Sequence, residues 1–437
     1  MRHPVVAIIG RPNVGKSTLF NRVLGARIAV VDDRPGITRD RNFALTEWNG
    51  RPFHLVDTGG FLPDIEVGLE AAVRRQAEIA LEAASVTIFL ADAKTGVTDL
   101  DGAIAKSLRK RDRPALLVVN KADNPTVPVE SEFYRLGLGD PLAISSEQGI
   151  GIGELLDRVV DLMPPPEPEE VDDGSVRVAI VGRPNVGKSS LVNALLHEER
   201  MVVDAKPGTT VDAVDSEYET PTGRFTLVDT AGLRHEAKFA EDAEFYATLR
   251  TIRAVERANV VMVMTEAESG LNRQDVRVIA IAQEAHKPVA LAYNKWDAVE
   301  DKSGRWDELD TQRAERFPTL ARLPAIAISA LDGTRLGRLP ALWLALHEEN
   351  TRRVPTAKLN DWLKKVQNEK APPATRVGRP ARIYYMTQVT QAPPRFAIFA
   401  SQPEAINKSY HRFLLNRLRD EFGYAGATVR LDVRKST

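Results

Sequence analysis

Gly10-Arg11-Pro12-Asn13-Val14-Gly15-Lys16-Ser17 occurs twice in this chain: Gly182-Arg183-Pro184-Asn185-Val186-Gly187-Lys188-Ser189 repeats it letter for letter. Both copies fit G-x-x-x-x-G-K-[ST], a loop that cradles phosphate groups. Each follows an apolar, β-branched run, Val5-Val6-Ala7-Ile8-Ile9 and Val176-Arg177-Val178-Ala179-Ile180-Val181. Each leads into a helix-like stretch, Thr18-Leu19-Phe20-Asn21 and Ser190-Leu191-Val192-Asn193. Strand, loop and helix in that order are the setting in which the loop works. Its glycines lack Cβ atoms, so backbone N–H groups can turn inward around oxygens. The helix N-terminus adds unpaired N–H donors and the positive end of its dipole. Lys16 and Lys188 then bring an ammonium to the β- and γ-phosphates, and Ser17 and Ser189 offer a hydroxyl to Mg²⁺. A glycine-rich turn beside a surface lysine is the plainer reading of one match, and it does not account for two in the same setting.

The companion motifs also come in pairs. Asp57-Thr58-Gly59-Gly60, followed by Phe61, and Asp229-Thr230-Ala231-Gly232, followed by Leu233, stand at strand ends facing the phosphate loop. The Asp is expected to hold Mg²⁺ through water, and the N–H of Gly60 or Gly232 to touch the γ-phosphate. Thr38 and Thr210 lie in Pro/Gly-broken loops that can close over Mg²⁺. Alone, each Asp or Thr is more often a turn residue or a helix cap. Asn120-Lys121-Ala122-Asp123 and Asn294-Lys295-Trp296-Asp297 are expected to select the base. A carboxylate at Asp123 or Asp297 can accept from guanine N1–H and the exocyclic amine, whereas adenine would leave it unpaired. The lysine stem can cover the ring face. Ser145 and Ser329 begin loops that close the pocket through backbone N–H groups. The bound groups implied are GTP or GDP with Mg²⁺. The residues expected to act on the phosphates are Lys16, Thr38 and Gly60 in one set, and Lys188, Thr210 and Gly232 in the other.

The offsets show that a whole domain is duplicated. The two loops lie 172 residues apart, as do Asp57 and Asp229, and Asn120 lies 174 residues from Asn294. Strands are expected over Phe43–Trp48 and Arg51–Val56 about the turn pair Asn49-Gly50, then over 86–91, 115–119 and 141–144, with helices over 67–84 and 100–110. Alternating strands and helices imply an α/β class with a doubly wound, mostly parallel sheet in each repeat. The first repeat is placed at 1–163, an acidic Pro-rich linker at 164–175, the second repeat at 176–350 and a third module at 351–437. That module reads as a small α/β unit: a helix over 357–369, strands over 381–389 and 395–400, a helix over 408–422 and a strand over 427–433. The copies diverge at one strand end. The first has Ala91-Asp92-Ala93-Lys94 where the second is aligned as Met264-Thr265-Glu266-Ala267, so the second is read as lacking that Asp.

The net charge of −1 hides an asymmetry. Residues 351–437 carry 17 Lys and Arg against 6 Asp and Glu, a surplus of 11, so the body is acidic by 12. A basic module on an acidic body points to a polyanionic partner. No apolar run approaches twenty residues, which excludes a helical membrane span. Met1-Arg2-His3-Pro4 runs straight into a strand without the features of a secretory signal. The chain has no cysteine, which excludes disulfides and thiol catalysis and fits the reducing cytoplasm.

With both motif sets and the basic tail in view, the chain resembles the Der (EngA) family of bacterial GTPases over essentially its whole length. That resemblance implies two GTPase domains in tandem, a C-terminal KH-like domain, and a monomeric factor in late assembly of the large (50S) ribosomal subunit, with ribosomal RNA as partner. It also extends to relatives that use an Asn such as Asn13 or Asn185 to hold K⁺ beside the phosphates. Phe61 and Leu233 occupy the position where related enzymes place a water-orienting Gln, so another charge is needed. The plain alternative is that Asn suits the turn. One departure stands out: the terminal module has no G-x-x-G loop between helices, and Gly423-Tyr424-Ala425-Gly426 reads as a helix cap and turn. Two other readings compete, a tRNA-modification GTPase, for whose partner-enzyme domain no segment remains, and an RNA-binding module that keeps nucleotide as a structural ligand.

Overall fold

Val5 to Ile9 are all buried, and that unbroken apolar run makes β1 (Val5–Ile9) the centre of a parallel sheet. The computed structural model describes residues 3–25, 43–58, 84–110, 113–124, 131–166, 173–198, 215–230, 243–374 and 381–436. The chain divides into two compact units, Met1–Glu170 with Phe239–Leu249, and Val171–Lys238 with Arg250–Thr437. In the first, β2 (Phe43–Trp48) and β3 (Arg51–Asp57) form the expected hairpin. Its turn residues Asn49 and Gly50 both have positive φ, 49° and 75°, as a two-residue hairpin turn of matching twist requires. With β4 (Val86–Asp92), β5 (Ala115–Asn120) and β6 (Leu142–Ala143) the sheet order is β2-β3-β1-β4-β5-β6, and every pairing except β2–β3 is parallel. After β1 the chain goes first to one side, to β3, and later to the other, to β4. The phosphate loop thus leaves β1 at the point where ligands bind in open α/β sheets. Helices α1 (Lys16–Gly25), α2 (Asp99–Arg109) and α3 (Ile152–Leu162) accompany it. The last was not foreseen, although Ile152, Leu155, Leu156 and Val159 repeat at helical spacing and are all buried. The helix expected over 67–84 lies mostly outside the described residues.

The second repeat builds the same sheet from β7 (Val176–Gly182), β8 (Ser216–Thr220), β9 (Gly223–Val228), β10 (Val260–Glu266), β11 (Val289–Asn294) and β12 (Ala325–Ala327), in the order β12-β11-β10-β7-β9-β8. Helices α4 (Lys188–Glu198), α6 (Arg273–Glu284), α7 (Lys302–Arg316) and α8 (Leu339–Thr351) accompany it, as does the part of α5 (Ala243–Arg257) from Arg250 onward. Apolar clusters lie on both faces. Ile180, Leu191, Phe225 and Trp343 belong to one, and Val181, Val255, Ile279 and Leu309 to the other. That is the doubly wound arrangement the repeat pattern implied.

In the terminal module, α9 (Thr356–Glu369) precedes β13 (Ile383–Thr390) and β14 (Arg395–Ala400), and α10 (Lys408–Phe422) precedes β15 (Arg430–Lys435). β13 and β14 are antiparallel, and β14 and β15 are parallel. Leu359, Trp362, Leu414 and Leu418 bury one face of the sheet through Met386, Phe396 and Ile398. The last strand begins at Arg430, three residues later than expected, because the chain before it docks on the second repeat. Gly423 caps α10 with φ 70°, its N–H donating to Arg419 O at 2.9 Å. Gly426 O accepts from the Val289 N–H at 3.0 Å. Gly426 and Ala427 N–H groups both donate to Glu349 Oε1 at 3.1 Å. A Cβ on Gly426 would meet Leu346 Cδ2 at 2.3 Å and the Val289 carbonyl oxygen at 2.9 Å, so glycine suits this close approach. Burial pushes the Glu349 carboxyl above its usual range, while the two amides pull it back. Arg322 pairs with Asp420, and Arg352 donates to Phe422 O at 2.7 Å.

Candidate functional site

Both phosphate loops take one conformation. Gly10 and Gly15 have φ of 153° and 96°, and Gly182 and Gly187 have 150° and 95°. A Cβ on Gly10 would meet Leu90 O at 2.4 Å, and one on Gly15 would meet Asn120 Nδ2 at 2.4 Å; the second repeat has the same clashes at 2.4 and 2.3 Å. The first glycine of each loop is therefore demanded by a backbone carbonyl, and the second by its positive φ and the amide of the base-motif Asn. Pro12 and Pro184 follow Arg11 and Arg183, and Asn13 and Asn185 come next, each with φ 65° in the left-handed region that Asn tolerates. Val14 and Val186 are buried, and their carbonyls accept from Asn120 Nδ2 and Asn294 Nδ2 at 2.7 and 2.8 Å. The base motif thus holds the phosphate loop from behind.

Lys16 Nζ donates to Gly10 O and Arg11 O, both at 2.9 Å, and Lys188 Nζ donates to Gly182 O and Arg183 O at 3.1 and 2.8 Å. Burial lowers the Lys16 ammonium below its usual range, and the Asp57 charge opposes that. An anion in the loop would favour the charged form further. Ser17 Oγ donates to Asp57 Oδ2 at 2.6 Å, with Asp57 buried at the end of β3. A hydroxyl and a carboxylate at that separation, beside a phosphate cradle, suit Mg²⁺. In the second repeat Asp229 has φ 60°, and its N–H donates to Asp215 Oδ1 at 3.1 Å. Asp215 is in turn paired with Arg257. Thr58 Oγ1 donates to Ile8 O at 2.9 Å, whereas Thr230 Oγ1 pairs with Ser216 Oγ at 2.8 Å. Ser189 is the second residue of α4, as Ser17 is of α1. Thr38, Gly59, Gly60, Phe61, Thr210, Ala231, Gly232 and Leu233 lie outside the described residues.

On the base side the repeats agree closely. Asn120 Oδ1 accepts from Ser146 N–H at 2.9 Å, and Asn294 Oδ1 from Ala330 N–H at 3.0 Å. Ala122 and Trp296 N–H groups donate to Ile144 O and Ile328 O at 3.0 and 3.1 Å, which fixes the turn. The Trp296 indole packs in the core, edge-on to Trp306, so only its backbone serves the motif. Ser145 and Ser329 are fully buried, and their hydroxyls, not only the amides after them, take part. Ser145 Oγ donates to Asp123 Oδ1 at 2.9 Å, and Ser329 Oγ donates to Asp297 Oδ1 at 2.5 Å. Each carboxylate is held in place with lone pairs left for a base edge.

The sequence alignment at the end of β4 needs correction. Asp92 is paired across the sheet with Asn120, and Glu266 with Asn294, so Glu266 and not Thr265 is the counterpart of Asp92. The second repeat keeps the carboxylate with one more methylene. Lys121 Nζ contacts Asp92 Oδ2 at 2.6 Å, and Lys295 pairs with Glu266. Lys121 Nζ also donates to Asn13 O at 2.8 Å. Burial opposes ionisation of Asp92, but the Lys121 hydrogen bond and charge hold its carboxyl below the usual range. One real asymmetry remains. Lys94 Nζ sits 2.8 Å from Asp123 Oδ2 and, with Ser145, holds that carboxyl low. Glu268 stands at the same offset in the second repeat.

A further feature was not read from sequence. Arg11 Nε donates to Asp101 Oδ2 at 3.2 Å, and Arg183 Nε donates to Asp275 Oδ1 at 2.9 Å. Both Asp side chains are fully buried. Each is the third residue of its helix and closes a capping box, with Thr98 before α2 and Asn272 before α6. The spellings Thr98-x-x-Asp101 and Asn272-x-x-Asp275 were a readable signal of the caps. These pairs tie each phosphate loop to a neighbouring helix.

Comparison with known proteins agrees with this geometry. Residues 5–121 and 177–295 match a family model described as a 50S ribosome-binding GTPase. Residues 353–434 match one described as KH-domain-like of EngA bacterial GTPase enzymes, C-terminal. GTPase Der of Moorella thermoacetica is 46% identical over 437 residues, covering 100% of this chain and 99% of its own. GTPase Der of Clostridium perfringens strain SM101 is 44% identical over 437 residues, covering 99% of each. The crystal structure of Era in complex with MgGDPNP and nucleotides 1506–1542 of 16S ribosomal RNA aligns with 60% of this chain and 92% of its own, at 21% identity and a TM-score of 0.32, too low to carry an argument. With full-length relatives at this level, two GTPase repeats matched and the terminal module matched separately, the chain belongs to the GTPase Der family.

Proposed function

We propose that this GTPase is a nucleotide-controlled assembly factor for the large ribosomal subunit, acting in the cytoplasm as a monomer and binding ribosomal RNA through its terminal module. The observation that carries this reading is the seat of that module. β11 begins at Val289, whose N–H is bonded to Gly426 of the terminal module, and ends at Asn294, the first residue of the base motif. One rigid strand therefore connects a nucleotide site to the most basic part of the chain. Among the described residues no helix is long and apolar enough to cross a membrane. Mg²⁺ is assigned to Ser17 and Asp57, with Ser189 and Asp229 as their counterparts. Large subunits are expected to co-sediment with the full chain to an extent that changes between a GTP analogue and GDP. Removing 351–437 should abolish co-sedimentation while guanine-nucleotide affinity at the first site stays intact. A truncated chain that pellets as well as the full one would reject the assignment of the partner.

K⁺ beside the phosphates belongs to the same proposal. Asn13 and Asn185 are exposed on the rim of their loops. Their left-handed backbone gives Asn a conformational reason to be there, so the variant must keep that backbone. Asn13→Gly and Asn185→Gly do so while removing the side-chain oxygen. Hydrolysis should run several-fold faster in K⁺ than in Na⁺, and each Gly variant should lose that preference at its own site. Equal rates in the two salts at matched ionic strength would exclude a K⁺ site.

A further inference from the structure

We propose that the open face of the terminal three-stranded sheet is a stacking platform for single-stranded RNA; the inference rests on the RNA-binding reading above and names the surface. The register brings Tyr385 of β13, Phe399 of β14 and Arg434 of β15 side by side across the sheet. Their neighbours in sequence, Met386, Ile398 and Val433, line the opposite, core-facing side. Tyr385 stacks on Phe399 with ring centroids 4.4 Å apart and planes 11° from parallel, yet keeps 43% of its surface exposed. Tyr384 beside it is 48% exposed, with the Arg382 guanidinium 5.2 Å from its ring centre. Arg395 Nε donates to Asp432 at 2.7 Å, and Arg434 reaches the same carboxylate at 3.5 Å, so one acid is shared by two guanidiniums.

Exposed aromatic pairs also stabilise sheets by cross-strand contact, which is the plainer account of Tyr385 and Phe399. The charge around them favours a ligand. Arg434 is level with Phe399 in the register, Arg382 lies over the Tyr384 ring, and Arg395 and Arg434 share Asp432, within a module that carries 17 basic and 6 acidic residues. Rings with a bare side and guanidiniums at their edges suit unpaired bases strung on phosphates: any base can stack, and Arg can meet the backbone. The usual alternative in this fold, a G-x-x-G loop clamping the backbone, is not available. The one segment with that spelling, Gly423 to Gly426, is spent on the second GTPase domain, with Tyr424 only 1% exposed and Gly426 pressed on Leu346. The chain enters α10 through Ile406-Asn407, which holds no glycine.

The test uses the full chain, a fluorescein-labelled twelve-nucleotide oligouridine, and large ribosomal subunits. Tyr385→Ala should weaken oligouridine binding by about 5- to 150-fold, as loss of one base–aromatic stack does, without changing the slope of log affinity against log salt. Tyr385→Phe should bind like the parent. Arg434→Ala should weaken binding and flatten the slope by about 0.7, the value for one phosphate on a single strand. Guanine-nucleotide affinity, unchanged in all three, reports that the chain is folded. If the parent binds oligouridine and Tyr385→Ala and Arg434→Ala bind equally well, the platform is wrong and RNA is held elsewhere. If the variants lose large subunits but keep oligouridine, the face is a protein contact and the proposal falls. A parent that binds subunits but no oligouridine also overturns the platform, and leaves the proposed function standing. A parent that binds neither overturns both.

Discussion

Asp297→Asn is expected to weaken GTP at the second site by about 3 kcal/mol, more than a hundredfold, and to transfer preference to xanthosine triphosphate. Asp297 would accept two hydrogen bonds from guanine, at N1–H and the exocyclic amine. An Asn amide turns one acceptor into a donor, which then faces the amine, also a donor. Xanthine carries a carbonyl in place of the amine and accepts from that amide. The Ser329 hydroxyl can still donate to the remaining side-chain oxygen, so the Asn should keep its place. Asp123→Asn should act in the same sense at the first site. There the carboxylate is also paired with Lys94, and guanine has to share it, so the loss is expected to be smaller than at Asp297. Nucleotide affinities by isothermal titration check both. Unchanged GTP affinity in Asp297→Asn, or no gain for xanthosine triphosphate, would defeat the assignment of the base site.

Asp275→Ala should lower the stability of the second GTPase domain by about 3 kcal/mol, because it strands Arg183 and removes the reciprocal half of the capping box together. Asp275 is fully buried and also accepts from the Asn272 N–H at 3.0 Å and from Thr265 Oγ1 at 3.1 Å. Arg183 Nη2 is further held by Thr265 and Ser269, both at 3.2 Å. In the first repeat Asp101 Oδ1 and Arg11 Nη2 are buried without a hydrogen-bond partner, so that pair is less well satisfied. Asp101→Ala is therefore expected to cost less than Asp275→Ala. Denaturant unfolding of the two variants, followed by the loss of nucleotide protection at each site, makes the comparison. An equal or reversed order would show that hydrogen-bond satisfaction does not set the strength of these braces.

Much of this was legible in the residues. The phosphate loops, the Asn49-Gly50 hairpin and the helix over 408–422 follow from local rules: glycine freedom, turn chemistry and an apolar stripe at helical spacing. The terminal aromatics divided unevenly. Phe396 and Tyr410 are buried, Phe413 is half-buried, and Tyr384 and Tyr385 are exposed. Period alone could not assign them, because β13 has a register shift between Ile383 and Tyr385 that puts both tyrosines outside. The Asp92 counterpart was misread for a different reason. The offset grows from 172 to 174 between Asp57 and Asn120, and only strand pairing shows that the extra residues fall before the end of β10, making Glu266 the partner of Lys295. The Arg–Asp braces join residues about ninety positions apart, and no local pattern reports contacts of that range.

The orthogonal base preference offers a direct test of control by nucleotide. Full-length Asp297→Asn protein is mixed with large ribosomal subunits, with GDP filling the first site and either a non-hydrolysable xanthosine triphosphate analogue or xanthosine diphosphate filling the second. The two mixtures are then sedimented. If β11 links the second site to the docked basic module, the fraction bound should differ between them by a coupling factor of about 5 to 150, and the parent chain should not respond to xanthosine nucleotides. Equal sedimentation of the variant in the two nucleotides, with both shown to occupy the site, would contradict nucleotide control of ribosome binding.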